Sequence, residues 1–143
     1  MDTQNANNYF SLYRKFVKAY GDFIMEELGE KDLSPNEIVV ISSLSVTTKA
    51  SEIAKISDVS KALISRSVKL LKSKDLINVS LDTADMREQT LKLTEKSEDI
   101  AKRIVTCKEQ FFEKAFKDFS EDESEVLKAL LNLMANNLKI DNI

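Results

Sequence analysis

The sequence predicts a mainly α chain interrupted by one small β-hairpin, and three observations predict it. Gly21, Gly29 and Pro35 are the only glycines and proline in 143 residues, while Lys, Glu, Leu, Ile and Ala are plentiful, a composition that favours helices. Apolar residues recur at three- and four-residue steps through most of the chain. Only over residues 77–94 does the period fall to two, the spacing of a strand.

Tyr9, Leu12, Tyr13, Phe16, Val17, Tyr20, Phe23, Ile24 and Leu28 form the stripe of a long amphipathic helix, for which Gly29 is a natural stop. Ser34-Pro35-Asn36-Glu37 combines an N-cap serine, proline at the first helical position and glutamate at the third, the pattern of a capping box. Ile38-Val39-Val40-Ile41 has strand propensity by itself, but the preceding cap and Leu44 favour a short buried helix. Residues 50–57 and 61–74 read as two further helices joined by Asp58-Val59-Ser60, which makes a helix-turn-helix. Ile77, Val79 and Leu81, then Leu91 and Leu93, alternate with polar residues as the strands of a hairpin closed by the polar stretch 82–89. Helical periodicity returns over 95–119, and a second capping box, Ser120-Glu121-Asp122-Glu123, opens a last helix through Leu138.

A chain of 143 residues with 43% apolar content can close one core without staples, so a single structural unit over 1–143 is expected. The single Cys107 and the absence of His remove intrachain disulfides, the commonest general base and the commonest transition-metal ligand. Cys107 falls in an apolar helical pattern and reads as a packing residue. The expectation is a protein without catalytic residues, metal or cofactor. No stretch is long and apolar enough to span a membrane, and MDTQNANNYF has no signal core, so the expected location is cytoplasmic, with no membrane partner.

The net charge of −3 hides a strong asymmetry. Residues 49–96 hold 10 Lys and Arg against 7 Asp and Glu, a net of +3, and the remainder carries −6. The run SKALISRSVKLLKSK carries Lys61, Arg66, Lys69, Lys72 and Lys74 without one acid. A basic helix is often just a solvated face, but the second helix of a helix-turn-helix is the element that enters the major groove of duplex DNA. Its N-terminal residues Ser60, Lys61, Ala62, Ser65 and Arg66 are the candidates for base edges, and Lys69 and Lys72 for phosphate. In the hairpin, Arg87 stands two residues after Asp85. An arginine tethered there suits the narrow minor groove, with Asp85 restraining it. The rival reading is a winged-helix module used for protein-protein contact alone.

SEIAKISDVSKALISRSVKLLKSKDLI followed by DTADMREQTLKLTEK resembles the winged helix-turn-helix core of the MarR family of bacterial regulators, whose wing signature is an Asp-x-Arg followed by Leu-Thr. The resemblance implies a winged helix-turn-helix core over about residues 33–96 and dimerisation helices over about 6–30 and 97–141. It implies a homodimer that binds double-stranded DNA at a pseudo-palindromic operator, usually as a repressor, often released by a small, commonly phenolic effector or by cysteine oxidation. It carries the wing arginine onto Arg87 and its aspartate partner onto Asp85. Asp58 and Asp75 stand where the family often has glycine, and aspartate tolerates left-handed geometry better than most residues. Cys107 lies away from the N-terminal position of the family's peroxide-sensing cysteines. Tyr9, Phe10, Tyr13, Phe16, Tyr20, Phe111, Phe112 and Phe116 read as core aromatics, with lining of a ligand crevice as the alternative.

Overall fold

The computed structural model describes residues 1–81, 84 and 87–140. In chain order these form α1 (Thr3–Leu28), α2 (Pro35–Ser43), α3 (Ala50–Ser57), α4 (Lys61–Ser73), β1 (Ile77–Leu81), β2 (Gln89–Leu93), α5 (Glu95–Ala115) and α6 (Glu121–Leu138). The expected mainly α fold with a helix-turn-helix and a β-hairpin wing is the observed one.

Both capping boxes form. Ser34 Oγ accepts from Glu37 N at 3.2 Å while Ser34 N donates to Glu37 Oε1 at 3.1 Å, and Ser120 and Glu123 repeat the exchange. The cap at Ser34 decides the β-branched run after it, which is helical with Ile38, Val40 and Ile41 buried. Two ends differ from the periodicity. α1 starts six residues before Tyr9, because the Asp2 carboxylate accepts from Asn5 N at 2.8 Å and caps a polar first turn that has no apolar stripe. α5 stops at Ala115, before the expected 119, where Phe119 N bonds to Phe116 O at 2.9 Å in a turn.

The chain divides into two compact units, Met1–Glu109 and Gln110–Ile143. In the first, Ile24, Leu28, Ile38, Ile41, Ile53, Ile64, Val68, Leu71, Ile77, Leu91, Ile104 and Cys107 belong to one buried cluster, so α2, α3, α4, the wing root and α5 share a core. Cys107 is a packing residue, as expected, and burial followed by the Glu27 charge pushes its thiol pKa up. Arg103 of α5 closes the end of α1: it donates to Leu28 O at 2.9 Å and to the Asp99 carboxylate at 3.0 Å, and pairs with Glu30. In the second unit Phe111 and Ala135 are buried. Phe111, Phe112, Phe116 and Phe119 form a chain of ring contacts with centroids 5.0–5.9 Å apart.

The expectation of core aromatics holds for Phe111 and, in part, for half-buried Tyr20 and Phe116. It fails for Tyr9, Phe10 and Tyr13, which are about two-thirds exposed, and for Phe16 and Phe112. On α1 the reason is length. α1 runs 26 residues but buries only Ile24 and Leu28 at its C-terminal end, so its aromatic N-terminal half extends past the core.

Candidate nucleic-acid interface

The short α3 is preceded by the N-cap residue Lys49, which makes no side-chain cap, and followed by the C-cap residue Asp58 in the left-handed region, φ 55°. Asp75, which turns the chain from α4 into β1, has φ 59°. Both aspartates therefore take the glycine-like geometry expected of them. Ser60 then caps α4, its Oγ accepting from Leu63 N at 3.3 Å.

α4 buries Ile64, Ser67, Val68 and Leu71, and Ser67 satisfies its hydroxyl by donating to Leu63 O at 2.8 Å. This fixes the helix rotation. Lys61, Ala62, Ser65, Arg66, Lys69 and Lys72 are consequently all exposed, with Ser60 at the start of the same helix. No acid stands in the first turn of α4, where the macrodipole favours negative charge and Lys61 opposes it. That arrangement costs the free helix a few tenths of a kcal/mol, and an incoming phosphate would reverse the sign.

Lys74 departs from the basic run read in the sequence. Its Nζ donates to Glu37 Oε2 at 2.7 Å and to Asp32 O at 2.5 Å, which spends its charge on the start of α2. Glu37 is buried, and although burial raises its pKa, the bonds from Lys74 and Ser34 outweigh that and hold it below the usual carboxylate range. The exposed cations of α4 are thus Lys61, Arg66, Lys69 and Lys72.

The wing pairs Ile77 with Leu93, Val79 with Leu91 and Leu81 with Gln89, antiparallel. Its root is fastened to the helix-turn-helix by contacts that the sequence reading missed. Leu91 N donates to Thr48 O at 2.7 Å and Lys49 forms a β-bridge with Thr90, so the residues before α3 act as a third, very short strand. The β-branched pair Thr47-Thr48 was the available signal. Glu88 Oε1 accepts from Ser51 Oγ at 2.9 Å, and its other oxygen lies 3.9 Å from Lys49 Nζ. Arg87 and Ala84 are exposed in the turn, while Asp85 lies outside the described residues. At the other end of β2, Thr94 Oγ1 donates to Asp75 O at 2.8 Å and buried Ser97 Oγ donates to Leu76 O at 2.5 Å, locking the start of α5 to the end of α4.

Among the described residues no group of acids or cysteine could hold a metal ion, and no helix is long and apolar enough to cross a membrane.

Residues 35–110, more than half of the chain, match the family described as ArnR1-like, winged-helix domain. No curated protein matches the sequence. The fold is similar to that of MepR from S. aureus in its DNA complex, at 20% identity and a TM-score of 0.80, covering 90% of this chain and 97% of that one. It is similar to a mutant MarR from E. coli complexed with operator DNA, at 18% identity and 0.74, covering 94% and 99%. BpsR of Bordetella bronchiseptica, whose DNA binding is regulated by 6-hydroxynicotinic acid, is similar at 21% identity and 0.74, covering 90% and 98%. At these identities the likeness is one of fold, and the fold is that of the MarR family.

Proposed function

The chain belongs to the ArnR1-like winged-helix family, and from that membership we propose that it is a DNA-binding transcriptional regulator, a homodimeric repressor of a pseudo-palindromic operator. The observation that carries this reading is the acid-free α4, which turns Lys61, Arg66, Lys69 and Lys72 outward on the second helix of a helix-turn-helix. Ser60, Lys61, Ala62, Ser65 and Arg66 meet base edges, Lys69 and Lys72 meet phosphate, and Arg87, restrained by Asp85, enters the minor groove.

The winged core spans about residues 33–96 and the dimerisation helices about 6–30 and 97–141. Exposed Tyr9, Leu12 and Tyr13 on α1 and exposed Val126, Leu130, Met134 and Leu138 on α6 support self-association, since apolar surface of this extent marks an interface. A small aromatic effector releases the repressor from DNA, a reading supported by the structurally similar BpsR and its 6-hydroxynicotinic acid.

Selection of bound sequences from a pool of random duplex DNA tests the proposal. The expected product is an inverted repeat with half-site centres one helical turn apart, roughly 10 to 11 base pairs. Recovery of a single asymmetric site, or of none, would overturn the dimeric reading or the DNA-binding reading respectively.

A further inference from the structure

We propose that Glu88 is a positioning residue of the DNA interface, tying the root of the wing to the start of α3 so that the adjacent Arg87 is held where it meets the duplex. This inference rests on the DNA-binding reading above. A lone carboxylate beside a lysine at the surface is ordinarily worth little, and at 3.9 Å Lys49 contributes weakly. Three observations set Glu88 apart.

Its side chain is only 24% exposed, so it is packed against the protein rather than solvated. Its bond from Ser51 Oγ, at 2.9 Å, joins residues 37 apart in sequence and on different elements. It is also the second of two separated fastenings. The first is the strand-like pairing of Leu91 N with Thr48 O and of Lys49 with Thr90. One attachment lets a hairpin swing about it, and two attachments at different points fix its rotation. The docking surface is itself cross-bonded: Thr47 Oγ1 accepts from Lys49 N at 3.2 Å and donates to the Glu52 carboxylate.

Charge alone predicts the opposite behaviour. An acid beside a DNA-contacting arginine repels phosphate, so removing it should tighten binding. A positioning role predicts that its removal weakens binding, and only while Arg87 is present.

The probe is the tightest duplex selected by the parent protein, with binding read by fluorescence anisotropy at fixed salt beside thermal melts. Glu88→Ala is expected to weaken binding about five- to ten-fold. Glu88→Gln should stay within about two-fold of the parent, because its carbonyl oxygen still accepts from the Ser51 hydroxyl. In an Arg87→Ala background, Glu88→Ala should cost nothing further. Should Glu88→Ala melt early, Ser51→Ala removes the same bond from the other side and should reproduce the loss. Tighter binding by both Glu88 variants, no change in either, or an equal loss with and without Arg87 would overturn the proposal while leaving DNA binding intact. A parent protein that selects no duplex would overturn both.

Discussion

Glu37 carries its charge at 2% exposure, where an unpaired carboxylate would be strongly penalised. Lys74 and the Ser34 backbone make the charged form the favoured one, so the residue both caps α2 and anchors the far end of α4. Its folded-state pKa lies below the ordinary glutamate value. The resulting stabilisation is therefore complete above that ordinary value, about 4.3, and is lost as the pH falls through the folded pKa. Glu37→Gln is expected to destabilise the protein at neutral pH by about 1 to 3 kcal/mol, less than a wholly buried pair because Lys74 remains partly solvated. Urea unfolding of parent and variant at pH 7 and pH 3 measures the gap, which should shrink in acid. A gap independent of pH would mean that the charge contributes nothing. In the sequence Glu37 was legible as a capping residue, but its partner 37 residues away was not, and Lys74 read instead as one more cation of the basic helix.

At the scale of elements, local signals specified nearly everything that local chemistry controls. The capping boxes at Ser34 and Ser120 marked the starts of α2 and α6, and the switch from period 3.6 to period 2 marked the wing. What escaped was tertiary pairing. The β-branched pair Thr47-Thr48 hints at a strand, but nothing in Lys49, Ser51 or Glu88 announces that the segment before α3 lies against β2. The burial of the aromatic stripes was misjudged for a related reason, since periodicity defines a face without saying what covers it. At the joint between α4, β1 and α5, Ser97 Oγ donates to Leu76 O and accepts from Thr94 N at 3.1 Å, beside the bonds from Thr94 N to Leu76 O at 3.2 Å and from Thr94 Oγ1 to Asp75 O at 2.8 Å. Ser97→Ala removes the hydroxyl from a site with no exposure, leaves Thr94 N and Leu76 O only their 3.2 Å bond to each other, and should cost about 1 kcal/mol. A thermal melt checks it. An unchanged midpoint would show that the Thr94 bonds and apolar packing hold the joint without the Ser97 hydroxyl.

Over the whole molecule, the acidic total of −3 and an exposed basic helix are compatible because the charges are segregated along the chain. The first unit packs α4 by its apolar stripe and leaves Lys61, Arg66, Lys69 and Lys72 to solvent. In the proposed regulator this face binds the DNA backbone and bases. The most direct test of that role is the salt dependence of duplex binding for the parent and for Lys69→Ala/Lys72→Ala, with melts confirming that both are folded. Parent affinity should fall by about 10³ between roughly 50 and 200 mM salt, given six or more phosphate contacts per dimer. The double variant should bind every duplex more weakly, with a slope shallower by about 3 to 4 from the loss of four contacts per dimer. A slope identical to that of the parent would overturn the proposed DNA-binding role of α4, because these lysines would then lie in solvent and α4 would not be the surface that meets DNA.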